Sequence, residues 1–445
     1  MYIELPKHVK FIIDTLEKAG YEAYAVGGCV RDSILGRRPN DWDITTSAKP
    51  LETKALFKKT FDTGIQHGTV SVLLDKEIYE VTTFRIDGEY EDSRHPKEVS
   101  FTSKLSEDLL RRDFTINAMA YNDSKGLVDL YGGLEDIKSK TIRCVGNPYD
   151  RFSEDALRIM RAVRFASQLD YQIEEETKKA IKELAPTLSK ISAERVQVEL
   201  VKMMVSDHPE YIKTAYELGI TKVILPEFDA CMECEQNNPH HIYSVGEHTL
   251  VVLKSVKPDK VLRLAALFHD MGKVPSKTTD ENGVDHFKCH PIDSAKIAHG
   301  IFKRLKFDND TEKHVCRIVE MHDWTMSAKP ERMRHYINKI GEEYFPEMFE
   351  FNRADLEGQS DFKIEEKLDN LSKLEKAYGE IIRNKECVSL KTLAVTGKDV
   401  IEAGVKPGPQ VGEVLDKLLQ MVLDDPSKND RDILLSELKR GNCEK

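Results

Sequence analysis

Two aspartates near the start of the chain, Asp41 and Asp43, are one residue apart and are followed by an isoleucine. On an extended strand, both carboxylates project from the same face. Carboxylate oxygens bind hard divalent cations such as Mg²⁺, which also bridge to the phosphates of a nucleotide. Two such ions can lower the pKa of an attacking hydroxyl and neutralise charge at a leaving pyrophosphate. Glu80, on a later predicted strand, has the character of a third metal-binding carboxylate.

A glycine pair precedes these acids. Gly27 and Gly28 follow a short apolar stretch that predicts a strand, and Arg31 comes three residues later. Glycine lets backbone amides approach phosphates closely, and arginine pairs with phosphate charge. A glycine pair alone is usually a turn, and Asp-x-Asp alone occurs in surface loops. Their order and spacing together favour a nucleotide-binding site.

Histidines and aspartates recur on successive predicted helices in the second half of the chain. The set comprises His248, His269, Asp270, His290, His322 and Asp355. Such side chains can converge in a helical bundle as metal ligands, and imidazoles favour Mn²⁺, Ni²⁺ or Co²⁺ over Mg²⁺. The alternative is a helical scaffold without a metal. His240 and His241 are expected to be packing or surface residues.

The elements that must position these residues change character along the chain. Residues 7–19 predict an amphipathic helix, and a further helix is expected near 51–59. Strands are expected at residues 24–26, 43–45, 70–74 and 78–83. From about residue 153 the pattern is helical almost to the end. We therefore predict an α+β protein, with a small head that contains a mixed sheet and a long helical body.

Composition sets broad limits on the class of protein. A chain of 445 residues allows two to four domains. Its N-terminus lacks the layout of a signal peptide, and no apolar run approaches the ~18–20 residues of a membrane helix. The eight cysteines fit a reducing compartment. We expect a cytoplasmic protein with no membrane association and no obligate protein partner.

The formal net charge of −11 argues weakly against a nucleic-acid partner, because phosphate binding requires basic groups. It does not exclude one, since basic side chains concentrated on one face can bind RNA.

Five motifs occur in a fixed order in the first half of the chain. They are GGCVRD (27–32), DWD (41–43), RRDFTINAMAYN (111–122), EDALRIMRAVRFA (154–166) and ISAERVQVEL (191–200). In this order they resemble the class II tRNA nucleotidyltransferases, the bacterial-type CCA-adding enzymes, and the related bacterial poly(A) polymerases. The resemblance implies a polymerase-β-like head that uses Mg²⁺. It also implies CTP, ATP and the acceptor arm and 3′ end of tRNA as partners.

The same resemblance implies a division into four parts. Residues 1–146 would form the nucleotidyltransferase head, and 147–210 a helical neck that recognises the base. Residues 211–360 would form the body with the histidine cluster, and 361–445 a helical tail that binds tRNA.

The resemblance further implies that protein side chains select the base. Asp155 and Arg158 are three residues apart, and on one helix they would be neighbours on one face. A carboxylate can accept from the amino group of cytosine or adenine while a guanidinium donates to the ring nitrogen. Uracil and guanine present the reverse polarity and would be rejected. Glu154 is expected to steady Arg158, and the alternative is a solvated salt bridge.

Other motif residues are expected at the nucleotide on the strength of the resemblance, and Asp113 is expected to contact the ribose hydroxyl. They are Arg111, Arg112, Asp113, Asn117, Arg161 and Arg164. Residues 84–99 resemble the family's flexible loop, and their full length favours complete CCA addition or A-only addition over CC-only addition.

The order of the second-half histidines resembles the HD superfamily of metal-dependent phosphohydrolases, with His269-Asp270 as the marker. We therefore predict template-independent addition or repair of the 3′-terminal CCA of tRNA, with a second phosphohydrolase activity on RNA 3′ ends. Within the same class, the alternative is a poly(A) polymerase or an A-only enzyme. From other classes, the alternatives are an HD phosphohydrolase with an RNA-binding head and a non-catalytic RNA-binding protein.

Overall fold

The computed structural model describes residues 1–87 and 99–443. The chain forms two compact units, Met1–Asp229 and Ala230–Lys445. The first unit contains the predicted sheet, and the second is almost entirely helical. The α+β class is therefore confirmed, whereas the division into four parts stays a prediction.

A seven-stranded mixed sheet organises the first unit. The strands of the unit are β1 (Ala23–Val26), β2 (Ile44–Thr46), β3 (Thr60–Gly64), β4 (Thr69–Leu74), β5 (Glu77–Thr83), β6 (Arg85–Asp87), β7 (Val99–Phe101), β8 (Met119–Asn122), β9 (Gly126–Asp129), β10 (Thr141–Ile142) and β11 (Gln172–Ile173). The order in the large sheet is β3-β4-β5-β2-β1-β8-β9. Strands β2 and β5 are parallel, and Ile44 pairs with Val81. This register brings Asp43 level with Glu80.

Short helices surround this sheet and continue beyond it. They are α1 (Lys7–Lys18), α2 (Gly28–Ile34), α3 (Pro50–Leu56), α4 (Leu105–Leu110), α5 (Gly133–Lys138), α6 (Pro148–Glu154), α7 (Leu157–Leu169), α8 (Glu175–Leu184), α9 (Ala193–Met204), α10 (Ile212–Glu217) and α11 (Thr221–Ile224). Helix α12 (Pro226–Met232) spans the point where the two units meet in the sequence. Helix α1 buries Val9, Ile12, Ile13 and Leu16, the residues whose spacing predicted it.

The centre of the head packs around buried aromatic and small side chains. Tyr24 of β1 stacks on Phe84, with ring centroids 6.4 Å apart, and both residues are almost fully buried. Leu109 and Ala120 complete the same cluster. This core fixes β1, which the glycine pair follows directly, with Gly28 as the first residue of α2.

The second unit is a helical array with one small β-hairpin. Its elements are α13 (Val245–Ser255), α14 (Lys260–Phe268), α15 (Lys273–Ser276), β12 (Lys277–Thr279), β13 (Asp285–Phe287), α16 (His290–Arg304), α17 (Asn309–Met321), α18 (Pro330–Ile340), α19 (Phe345–Glu357), α20 (Ile364–Arg383), α21 (Gly397–Glu402), α22 (Pro409–Asp424) and α23 (Arg431–Cys443). Phe268, Phe302, Phe345 and Phe351 are fully buried. Among the described residues, no helix is both long enough and apolar enough to cross a membrane.

Candidate nucleotide site and metal centre

The three predicted carboxylates of the head share a cavity. Asp41 and Asp43 directly precede β2 and are exposed, as is Glu80 on β5. All three line a cavity of about 930 Å³, which we call the edge cavity. Asp41 and Asp43 also line a cavity of about 760 Å³ with Gly27 and Gly28, which we call the arginine-lined cavity. Asp41 and Asp43 therefore line both cavities.

The surroundings of Asp43 disfavour a negative charge on both Asp41 and Asp43. Burial among the cleft walls raises its pKa, Arg112 opposes that effect, and the charge of Asp41 adds to it, so that the pKa lies above its ordinary value. A divalent cation between the two carboxylates would offset their repulsion. The donor set of carboxylate oxygens fits Mg²⁺.

Of the glycine pair, Gly27 is the residue whose backbone conformation and close contact favour glycine. Gly27 has φ +84°, a backbone conformation that favours glycine, and a Cβ there would lie 3.0 Å from Nη1 of Arg112. The amide of Gly27 donates to the carbonyl of Met119 and is not available to a phosphate. The glycine thus serves to bring Arg112 against the end of β1.

A hydrogen-bonded network holds the polar floor of the arginine-lined cavity. Asp113 accepts from Arg161 Nε at 2.8 Å and from Asn117 Nδ2 at 3.1 Å. Arg31 donates to Asn117 Oδ1 at 2.6 Å and pairs with Asp32 at 2.8 Å. Burial opposes the charge of Asp113, but Arg161 and Asn117 outweigh burial and lower its pKa. Asp113 is therefore a fixed acceptor at neutral pH.

Phe165 lies at the centre of the basic wall. Arg164, Arg31 and Arg161 approach its ring centroid to 3.5, 5.0 and 5.2 Å. Stacking on an aromatic face keeps these guanidinium groups in place along the cavity wall. Arg164 also pairs with buried Glu199 at 2.9 Å. Sequence reasoning missed Phe165, although it belongs to the motif that carries these arginines.

Asp108 is a second residue that the sequence analysis missed. It is fully buried, and its carboxylate accepts from Arg111 Nε at 3.0 Å and from Thr45 Oγ1 at 3.1 Å. Arg112 Nη2 lies 3.5 Å away. Burial opposes its charge, but Arg111 and Arg112 outweigh burial and lower its pKa. The sequence carries a signal for this contact. Asp108 precedes Arg111 by three residues and Arg112 by four, which are the spacings at which side chains on a helix meet.

The base-recognition residues do not lie on one continuous helix, and that expectation was wrong. Helix α6 ends at Glu154, Asp155 has an extended backbone (φ −140°, ψ 101°), and α7 begins at Leu157. The break lets the carboxylate of Asp155 accept from the amide of Leu157 and from Arg195 Nη2, at 3.0 and 2.8 Å.

Arg158 is held in position from three sides. It donates to Glu154 at 2.7 Å, which is the contact that the sequence predicted. It also donates to the carbonyls of Arg151 and Arg111, at 3.1 and 2.9 Å. Arg158 and Asp155 line a cavity of about 260 Å³ with Arg111, Arg112, Asp113, Leu157, Arg161 and Arg195. Arg195 was also missed, although the last of the five motifs contains it.

The predicted flexible loop spans 84–99. Residues 88–98 of it lie outside the described residues. The flanking strands β6 and β7 pair antiparallel, with Arg85 opposite Phe101.

The predicted metal ligands of the second unit converge. His248 lies on α13, His290 begins α16 and Asp355 lies on α19. His269 and His322 directly follow α14 and α17. Two groups are close enough to hold a metal ion, His248–His269–Asp270 and Asp270–His290–His322. We call the six residues, including Asp355, the histidine cluster.

Asp270 joins the two groups. Its Oδ2 lies 3.2 Å from Nε2 of His269 and 3.6 Å from Nε2 of His248. Its Oδ1 lies 3.4 and 3.6 Å from Nε2 of His290 and His322. A carboxylate in this place can bridge two metal ions.

Each imidazole is oriented by a backbone carbonyl. Nδ1 of His269, His290 and His322 lies 2.7–2.9 Å from the carbonyl three residues earlier. Nδ1 of His248 lies 3.0 Å from the carbonyl of Gly358. A carbonyl only accepts, so each Nδ1 carries the hydrogen and each Nε2 faces the cluster. This is the arrangement that supports metal-ligating histidines.

Buried atoms of the cluster lack ordinary partners. Among the described residues, His269 Nε2 and both carboxylate oxygens of Asp270 make no hydrogen bond, although Lys273 Nζ lies 2.7 Å from Oδ2. Burial opposes a charge on His269, but Asp270 and Asp355 outweigh it and raise its pKa to about 10. The cluster therefore attracts a cation, and the imidazole donor set fits a transition metal.

His240 and His241 line the same cavity of about 340 Å³, and the expectation that they are packing or surface residues stays a prediction. Burial, followed by the nearby Lys273 and His248, lowers the pKa of His241 to about 3. His241 is therefore neutral beside the cluster.

Comparison with protein families agrees with this geometry. The model of the poly A polymerase head domain matches residues 23–143. The model of the RNA and SrmB-binding site of polymerase A matches 170–232, and tRNA nucleotidyltransferase domain 2 matches 289–438. The head and its carboxylate site therefore define a nucleotidyltransferase of the poly(A) polymerase head class.

Relatives that align with almost the whole chain show which family within this class the protein belongs to. The chain is 35% identical over 430 residues to the CCA-adding enzyme of Pediococcus pentosaceus, covering 96% of both chains. It is 36% identical over 440 residues to that of Limosilactobacillus reuteri, covering 96% of this chain and 95% of the relative. The crystal structure of the Bacillus stearothermophilus CCA-adding enzyme in complex with CTP superposes with TM-score 0.71 at 30% identity, covering 98% and 96%. The chain belongs to the family of CCA-adding enzymes.

Proposed function

We propose that the protein adds or repairs the 3′-terminal CCA of tRNA, using CTP and ATP and releasing pyrophosphate. The observation that carries the proposal is the position of Asp41 and Asp43 on the wall shared by the two cavities. Membership of the CCA-adding enzyme family supports it. A tRNA substrate makes the cytoplasm the expected place of action.

In the proposed reaction, the 3′ hydroxyl of the RNA attacks the α-phosphorus of the nucleotide in line, and pyrophosphate leaves. Asp41, Asp43 and Glu80 would hold Mg²⁺, which supplies activation of the hydroxyl and charge neutralisation when bound. The arginine-lined cavity provides guanidinium groups for the triphosphate, with Arg112 beside Gly27 and Arg164 on Phe165. The fixed acceptor Asp113 suits a ribose hydroxyl.

Base selection is proposed for Asp155 and Arg158. Arg158 is held by Glu154 and by two carbonyls, so the plane and direction of its guanidinium group are fixed. Asp155 is bonded to Arg195, and a cytosine or adenine amino group would share or replace that bond. An acceptor beside a donor accepts C and A and mispairs with U and G.

Defined tRNA ends test the reaction. Transcripts that end before the first C, before the second C and before the terminal A are incubated with each nucleotide, and the products are sequenced. We expect C, C and A in order, then arrest. Addition of A alone indicates an A-only enzyme, and unlimited A addition indicates a poly(A) polymerase. The absence of any addition contradicts the proposal.

We propose a second activity for the histidine cluster, that of a metal-dependent phosphohydrolase on phosphate esters at RNA 3′ ends. The specific observation is that four Nε2 atoms face Asp270 while every Nδ1 is held by a carbonyl. The residues would hold Mn²⁺, Ni²⁺ or Co²⁺, which activates water as a nucleophile when bound. Water attacks phosphorus, the ester P–O bond breaks, and the sugar oxygen leaves with a proton. Lys273, 2.7 Å from Asp270, would offset phosphate charge.

Loading the purified protein with each metal and supplying 3′-phosphate and 2′,3′-cyclic phosphate ends tests this activity. We expect hydrolysis that Asp270→Asn abolishes and Asp43→Ala leaves unchanged. If no metal supports hydrolysis of either ester, the cluster is a scaffold and the second activity is rejected.

A further inference from the structure

The cavity of the histidine cluster continues into a second cavity. The neighbouring cavity, of about 270 Å³, shares five lining residues with it. They are His322, Asp323, Asp355, Gln359 and Lys367. A molecule whose phosphate contacted the cluster would therefore have room on one side. We call this space the side cavity.

The side cavity has the lining of a base-binding site. Trp324, Leu356 and Leu371 line it, and so do Asn352 and Asn370. Among the described residues, neither asparagine side chain has a hydrogen-bond partner, so both amides can donate to and accept from a ligand. Aromatic faces stack on any base, and amides read its polar edge.

The indole ring of Trp324 is held in place by contacts with two neighbouring side chains. Tyr336 contacts it edge to face, with centroids 5.0 Å apart, and Lys339 Nζ lies 4.7 Å from the centroid. The indole is only partly exposed. A braced aromatic ring loses little freedom when a ligand stacks on it.

Lys367, on α20, stands where the two cavities join. Its Nζ is bonded to Gln359 Oε1 at 2.5 Å and to His240 Nδ1 at 3.1 Å, both neutral groups. In the described part of the chain it forms no ion pair with a carboxylate. An ammonium whose hydrogen bonds go to neutral groups, opening on a cavity, can bind an anionic ligand in addition to the attraction that it feels from Asp323 and Asp355.

We propose that the side cavity binds the base of a nucleotide whose phosphate contacts the histidine cluster, with Lys367 between base and cluster. The inference rests on the proposed hydrolase activity for the phosphate, and it names the substrate as a base-bearing 3′-phosphate rather than any small phosphate ester. Trp324 would stack on the base, and Asn370 would contact its edge.

Tryptophan fluorescence measures binding independently of hydrolysis when it is read in a stopped-flow instrument before turnover. The chain has two tryptophans, so Trp42→Phe leaves Trp324 as the sole reporter. Metal-loaded protein is titrated with 3′-AMP, with 1-O-methylribose 3-phosphate, which lacks the base, and with inorganic phosphate. We expect a saturable change with 3′-AMP alone, and competition by phosphate. An equal response to the sugar phosphate, or none to 3′-AMP, overturns the inference.

Kinetics separate this inference from the hydrolase proposal. Trp324→Ala should raise KM for 3′-AMP about tenfold, as expected for a lost stacking contact, and leave KM for the sugar phosphate unchanged. Trp324→Phe should restore KM, and exposed Asn370→Ala should raise it less. If both esters are hydrolysed with equal KM, the base site is rejected and the hydrolase stands. If neither is hydrolysed, the hydrolase is rejected, and the fluorescence result alone decides base binding.

Discussion

The two candidate metal sites differ in how deeply their side chains are buried and how firmly these side chains are oriented. In the head, Asp41, Asp43 and Glu80 are exposed beside the inner strands β2 and β5, and the charges of Asp41 and Asp43 repel each other. In the second unit, His269 and Asp270 are buried, and each histidine is oriented by a carbonyl. The first site therefore suits a hard cation that arrives with a triphosphate. The second suits a resident metal.

The difference follows from ligand chemistry and position. Carboxylates that face solvent bind Mg²⁺ weakly until phosphate oxygens add to the coordination. Buried imidazoles with fixed Nε2 atoms lose little freedom on binding, and they select softer metals. Two sites on one chain can thus use different metals without competing for the same ion.

The largest effect is expected at the head. Asp43→Ala should lower both C and A addition by roughly 10³-fold, because charge stabilisation at the reacting phosphates is lost. Rates are measured on tRNA lacking its CCA end. The matched control is Asp62→Ala, since Asp62 is an exposed acid of the head that pairs with Lys54 at 2.7 Å and lines neither cavity. Near-normal addition by Asp43→Ala would place the catalytic site elsewhere.

Metal retention should distinguish the second site. Asp270→Asn should weaken transition-metal binding by more than about 100-fold, because loss of a ligand exceeds the loss of a supporting contact. Chelator competition measures the affinity, and CCA addition should be unchanged. His299→Ala, on the exposed face of α16, is the control. Equal retention by the wild type and Asp270→Asn would make the cluster a scaffold.

Base choice should respond to Arg158. Arg158→Ala should lower the preference for CTP and ATP over UTP and GTP by about 10- to 100-fold, as one charge-assisted contact is lost. Arg195→Met should act in the same direction but less, since Arg195 orients Asp155 without needing to contact the base. The four nucleotides are compared by kcat/KM. Equal slowing for all four would favour a salt bridge over recognition.

The smallest effect concerns stability. Asp108→Asn should lower the free energy of unfolding by about 1–3 kcal/mol at neutral pH, because buried Asp108 binds Arg111. Its folded pKa lies below the ordinary value of 3.8, so this stabilisation is full above that pH. It disappears as pH falls through the folded pKa. Denaturant unfolding should therefore show the wild-type advantage at pH 7 and its loss in acid; a pH-independent difference would contradict this account.

Sequence periodicity predicted the architecture well where packing has a simple pattern. The apolar spacing of α1 and the alternation in β4 and β5 gave elements within a residue or two of the structure. The helix expected to reach residue 59 ends at Leu56, where Phe57 becomes extended. The pattern of polar and apolar residues around position 56 does not reveal that the helix ends there.

The candidate sites likewise contain residues that the sequence predicted and residues that it did not reveal. Residue types and order predicted Asp41, Asp43 and the histidine cluster, because metal chemistry limits the choice of side chains. Supporting residues such as Asp108, Phe165 and Arg195 were missed, since any acid, aromatic or arginine is common in a sequence. The break at Asp155 was missed as well, because it depends on tertiary bonds to Arg195 rather than on local propensity.

Two residues of the histidine cluster, which are proposed metal ligands, are also the ends of helices. His269 closes α14 and His322 closes α17, and each ring bonds a carbonyl in the last turn of its own helix. The direction of each lone pair is therefore set by the winding of that turn, and residues turn by about 100° per step. Helix ends loosen before helix centres. On heating, the metal should be released before the second unit unfolds, so a metal indicator would report an earlier transition than circular dichroism.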